Sequence, residues 1–217
     1  MKQKIVMSLA VMAAMVMAGC NDSIQQQSGP CHIKGTVPDR FNGQTVFLVP
    51  MEGPQSPEYV DTVVVADGHF EFEKDTVILA RIMLGFRMQP VVVVTEPGVV
   101  EVTIDSISSV KGTPQNDSLQ AWKVLTEQLM MTNTIAKQQL LECQQNDSVT
   151  AERIRKDAHE KFVDYKNKTR RLAENMKGTV LGEYLGSMYP KTYQRRGADG
   201  KLVTYDGDTN EPVKGQN

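Results

Sequence analysis

Chemistry in this chain of 217 residues would have to come from a small set of side chains. It holds three cysteines, Cys20, Cys31 and Cys143, and three histidines, His32, His69 and His159. A thioredoxin-type redox site needs two thiols in a Cys-x-x-Cys turn, and no such pair is present. A helical metal site needs two histidines four residues apart, and these three are far apart. His69 follows a turn and reads as an exposed strand residue, not a ligand. No glycine-rich phosphate loop, nucleophile elbow or pair of helical carboxylates is present. No catalytic residue, metal ligand or cofactor is therefore expected. One pattern rises above background. Asp followed by Ser or Thr and an apolar residue occurs at Asp22-Ser23-Ile24, Asp61-Thr62-Val63, Asp75-Thr76-Val77, Asp105-Ser106-Ile107, Asp117-Ser118-Leu119 and Asp147-Ser148-Val149. Composition alone gives roughly one such triplet if residues are independent. Asp-Ser pairs also cap helices and open strands, which suits Asp117 and Asp147.

Cys20 stands apart through its context. Lys2 and Lys4 precede an uncharged, mostly apolar run from Ile5 to Ala18, then Gly19-Cys20. Basic start, apolar stretch of about 14 residues and small residues before a break make a secretory signal. The run falls short of the about 20 residues that span a bilayer. Met17-Ala18-Gly19-Cys20 resembles the bacterial lipobox, with Met17 where Leu is commonest. The resemblance implies cleavage after Gly19 and a lipid on the Cys20 sulfur. Two or three acyl chains anchor stably where one is marginal. Residues 1–19 are thus expected as a lipoprotein signal peptide and 20–30 as a polar tether. The partner implied is a lipid bilayer holding acylated Cys20. Cys31 and Cys143 remain; export would permit a disulfide between them, and two buried free thiols are the preferred reading.

Hydrophobic residues make up 40 %, charged residues 23 %, and the net charge is -2. Such a chain buries a core and is neither disordered nor a nucleic-acid binder driven by bulk charge. Five of the twelve methionines, Met1, Met7, Met12, Met15 and Met17, belong to the leader.

The elements follow from periodicity. Residues 31–115 read as seven or eight short strands: an antiparallel sandwich or open barrel. Asp67-Gly68 is a type I′ hairpin signal, with Phe70 and Phe72 on one face and Glu71 and Glu73 on the other. Pro97-Gly98 predicts a second hairpin. The run Val91 to Val94 predicts a central strand covered on both faces. Residues 116–190 read as an antiparallel helical hairpin plus a short third helix. Leu119, Trp122, Leu125, Leu129, Ala136, Leu140 and Cys143 mark the first helix, with Asp117 and Gln120 as its capping box. Ala151, Ile154, Ala158, Phe162, Tyr165, Leu172 and Met176 mark the second, with Ser148 as cap. Its opposite face, with Arg153, Lys156, Glu160, Lys161, Lys168 and Arg171, reads as solvated. Residues 191–217 read as a flexible tail with a hairpin around Asp199-Gly200. The fold class is α+β.

The β region resembles an uncharacterised domain common in lipoproteins of the Bacteroidetes, where it often precedes a thioredoxin-like domain. The matching residues are Ile33-Lys34-Gly35-Thr36, Val46-Phe47-Leu48-Val49, Asp67-Gly68-His69-Phe70-Glu71-Phe72, Glu96-Pro97-Gly98 and Val110-Lys111-Gly112-Thr113-Pro114. Leu181-Gly182-Glu183-Tyr184-Leu185 is similar to the connector before the redox fold. The catalytic cysteines have no counterpart here, so the resemblance implies no oxidoreductase activity. The six Asp-Ser/Thr triplets look like acceptors for O-glycosylation in exported proteins of that phylum, at Ser23, Thr62, Thr76, Ser106, Ser118 and Ser148. The expected function is a non-enzymatic binding or scaffolding module with an envelope protein partner. It would sit at the outer membrane, facing the periplasm or the cell surface. The alternatives are an accessory of a thiol-disulfide oxidoreductase and a solute-binding lipoprotein.

Overall fold

The computed structural model describes residues 29–53, 56–85, 89–143, 147–196, 200–209 and 211–213. The leader, Cys20 and Ser23 lie outside them, as does Asp199. Alternating burial builds eight strands: β1 (Cys31–Thr36), β2 (Thr45–Pro50), β3 (Asp61–Val64), β4 (His69–Lys74), β5 (Leu79–Leu84), β6 (Val91–Val94), β7 (Gly98–Thr103) and β8 (Ser109–Lys111). They form two four-stranded sheets, ordered β4-β1-β7-β8 and β3-β2-β5-β6. Ile33, Phe70, Val100 and Val102 from the first sheet meet Val46, Leu48, Ile82 and Val93 from the second in a continuous core. One pair departs from the antiparallel expectation: β1 and β7 run parallel, Ile33 beside Val100.

The two expected hairpins are corners. Asp67 and Gly68 take φ of 51 and 74, as a type I′ turn requires. The turn closes on Ala66 and His69 (N···O 3.0 and 2.9 Å). Beyond it β3 and β4 diverge into different sheets. Pro97-Gly98 likewise carries the chain from β6 to β7 across the sandwich. Turn chemistry reverses the chain locally; burial of both flanking apolar faces decides which sheet each strand joins. β6 is accordingly an edge strand, not a central one. Its Val94 is covered by the helical layer.

That layer comprises α1 (Pro114–Glu142), α2 (Ser148–Asn175) and α3 (Val180–Met188). Only Leu119, Leu181 and Leu185 of its large side chains join the sandwich core fully buried. The rest of the α1 stripe is half-buried, and the Thr126 and Tyr165 hydroxyls lie 3.1 Å apart between α1 and α2. Asp147, one residue before the expected Ser148, caps α2 through the Thr150 N–H (3.0 Å). The basic face of α2 is solvated and laced with pairs one turn apart, such as Lys168–Asp164 at 2.7 Å.

The segment read as a flexible tail carries the hairpin β9 (Thr192–Arg196) and β10 (Leu202–Asp206). Its described residues are tied back to α2. Asp208 accepts from Lys166 and, through both oxygens at 2.9 Å, from Arg170 of α2. The Lys166 and Arg170 hydrogen bonds hold the Asp208 carboxyl below its ordinary range.

Gly35 on β1 faces Phe70 on β4, and a methyl group there would lie 2.0 Å from the ring. Gly35→Ala is expected to cost about 1–3 kcal/mol by overpacking. Urea melts of the two proteins test this, and an unchanged midpoint would show that the ring moves freely.

Candidate functional site

The structure gathers polar side chains at one place, the junction of β6 with the start of α1. A helix begins with N–H groups that lack intrahelical partners, and an edge strand leaves every second N–H and C=O unpaired. One network answers both. Glu96, 7 % exposed, accepts from the N–H groups of Gln115 (2.6 Å) and Asn116 (3.2 Å). The Asn116 side chain, fully buried, accepts from Val94 N–H (2.9 Å) and donates to Val94 C=O (2.8 Å), as a paired strand would. Gln115 reaches on to accept from Leu181 N–H of α3 (3.1 Å). The expected capping box is corrected here. The helix begins four residues earlier, after Thr113. Asp117 and Gln120 accept instead from Gly112 and Val110 N–H, both at 2.9 Å, and so hold β8. Pattern reading within one segment missed Glu96, because it caps α1 from 19 residues away.

Beside this junction, where the sandwich edges β6 and β8 meet α1, lies a groove of about 740 Å³. Its walls are largely apolar, with Pro90, Val92, Ile107, Leu119, Trp122 and Met131. Ile107 is 77 % and Met131 67 % exposed. The indole N–H of Trp122 is buried and has no hydrogen-bond partner among the described residues. On the rim Arg40 faces Asp105 at 3.9 Å, and Lys123 pairs with Glu127, one turn on in α1, at 3.6 Å. The walls come from three separate segments, so no sequence motif announces the groove.

The residues singled out from sequence do not converge. Cys31 is 1 % exposed, and burial, helped by the Glu96 charge, pushes its thiol up to about 11. It is a protonated, inert group at ordinary pH. Cys143 caps the far end of α1, and the 29 residues of that helix span about 43 Å. Both thiols are free, Cys143 only half-buried. A disulfide needs Cα atoms within about 7 Å, so the pairing considered from the sequence is excluded. His32 sits 3.4 Å from Glu73 on the exposed face of β1. Among the described residues no three of His, Cys, Asp and Glu gather as metal ligands. Thr62, Thr76, Ser106 and Ser148 are exposed, and Ser118 is half-buried in α1. Ser106 stands on the groove rim.

Residues 31–119 match a family described as a domain of unknown function, DUF4369. The match runs from β1 through the opening turns of α1, and so takes in Glu96 and the residues that it caps. No curated protein and no solved structure matches the chain.

Asn116→Ala leaves both polar groups of Val94 unpaired in a dry site. The expected loss is about 2–4 kcal/mol in chemical denaturation; a loss below about 0.5 kcal/mol would mean that the edge pairs elsewhere. Cys31 gives a second expectation. The raised thiol favours the folded state at every pH below its ordinary value of 9.0, and the advantage is lost as pH rises towards about 11. Relative to Cys31→Ala, the protein is expected to lose about 2–3 kcal/mol between those limits. Parallel pH dependences of the two proteins would contradict it.

Proposed function

We propose that this chain, built on that uncharacterised domain, is an envelope lipoprotein that acts without catalysis as a binding or scaffolding module. The leader is cleaved after Gly19, and acylated Cys20 holds the protein to the outer membrane, facing the periplasm or the cell surface. Residues 20–30 carry a single acid, Asp22, and serve as the tether. The anchoring rests on the order of charge, apolar run and small residues that ends at Cys20. No described helix is long and apolar enough to cross a membrane.

The observation that carries the binding role is the groove between β6, β8 and α1. It is concave, mostly apolar and rimmed by a few polar groups, as binding sites are. Its volume also suits a solute, and that is the second reading: a solute-binding lipoprotein with its cleft between sheet and helices. Sugars on Ser23, Thr62, Thr76, Ser106 or Ser148 would shield exposed backbone. An intact mass equal to peptide plus lipid alone would remove that part of the proposal.

The deciding experiment is labelling with an alkyne-bearing palmitate in a bacterial host that processes lipoproteins. The wild-type chain is expected to take up label and lose its leader, and Cys20→Ser to do neither. Label retained by Cys20→Ser would overturn the anchor. Crosslinking on intact cells tests the module: a specific adduct through the groove supports it, and turnover of a substrate by the pure protein would count against it.

A further inference from the structure

The edge of β6 is only half closed. In an antiparallel pair, alternate residues turn both their N–H and C=O away from the partner strand. Val91 and Val93 pair towards β5, and Thr95 N–H continues that side by bonding Ile78 C=O at 2.9 Å. Val94 turns outward and is satisfied by Asn116. Val92, two residues earlier, turns outward the same way. It is half-buried, it lines the groove, and neither its N–H nor its C=O has a partner among the described residues. Across the groove the β8 edge is held at Val110 by Gln120. The helix thus covers both edges at its first turns and leaves the next position open.

We propose that this groove binds an extended, uncharged peptide segment, which adds to β6 as a further strand. The inference rests on the binding-module reading and names its partner. The backbone of the segment would exchange two hydrogen bonds with Val92. Its alternate apolar side chains would rest against Trp122, Leu119, Ile107 and Met131. Strand addition of this kind draws affinity from main-chain bonds and selectivity from pockets for every second side chain. The rim selects for an uncharged segment. Arg40 is offset by Asp105, and Lys123 by Glu127 and the Ser108 carbonyl, so an added charge would meet no unsatisfied counterpart. The open position is short, since Asn116 occupies Val94, which fits a segment of a few residues and not a long strand.

Trp122 is the only tryptophan in the chain, so its fluorescence reports the groove directly. The probe is the acetylated, amidated peptide Ser-Val-Thr-Val-Ser, titrated into the full mature chain. The expected result is a saturable shift in emission. The same peptide N-methylated on its three inner amides should bind roughly tenfold more weakly, the equivalent of one such hydrogen bond. Val92→Pro removes the outward N–H at a position where an edge strand tolerates proline, and should weaken binding similarly. Met131→Glu charges the wall without touching β6 and should also weaken it. Circular dichroism confirms that each variant is folded. No emission change at millimolar peptide would overturn the proposal. Equal binding of the N-methylated peptide would overturn it in favour of a solute site. A concentration-dependent dimer abolished by Val92→Pro would overturn it in favour of a second copy as occupant. If crosslinking on cells captures a partner elsewhere while the peptide fails, the groove proposal falls and the module reading stands.

Discussion

Two incomplete structures meet at one point in this molecule, and each supplies what the other lacks. The sandwich is open along β6 and β8, with backbone groups facing outward. The helix α1 starts with N–H groups that its own turns cannot reach. Glu96 fills the helix end with a carboxylate, where the peptide dipoles also favour negative charge. Asn116 fills the strand edge with a carboxamide, and Gln115 extends the network to α3. These bonds are buried, so a missing partner would leave a desolvated polar group at substantial cost. They fix the direction in which α1 departs, and α2 and the C-terminal hairpin are positioned from α1 in turn. Apolar contact between the two layers, through Leu119, Ala173, Leu181, Leu185 and half-buried side chains such as Trp122 and Tyr184, is not directional, so the polar junction sets their register.

The strands were legible because burial alternates along them. Phe70 and Phe72 are buried while Glu71 and Glu73 are exposed, as the pattern predicts. The Asp67-Gly68 turn was legible because positive φ at successive residues favours that chemistry. The sheet each strand joins was not legible. A turn constrains four residues, and the split of β3 from β4 is decided by packing among strands distant in sequence. The start of α1 was hidden for the same reason. A capping box looks three residues ahead, whereas the residue that caps α1 belongs to the loop after β6. The groove left no local trace at all, since Val92, Ile107 and Trp122 belong to different elements.

The cysteines show how placement governs chemistry. Cys31 is sealed in the core next to an anion, and Cys143 ends a long helix on its far side. Each thiol is set apart from the other by the architecture, and the pair has no shared chemistry. What the fold presents to its surroundings is shape: a cleft at the seam of the two layers, floored by the single tryptophan.

The parallel pair of β1 with β7 has a consequence in time. Thr36 meets Thr103 across 67 positions of sequence, and that pairing lies at the centre of its sheet. β1 therefore has no neighbour on that side until β7 has left the ribosome. At synthesis rates of about 5–20 residues per second, this delay is several seconds. Non-local pairing of this kind also slows folding once the chain is complete. The topology therefore delays closure of the first sheet: β4 can pair with β1 early, but the centre of that sheet forms only when β7 arrives.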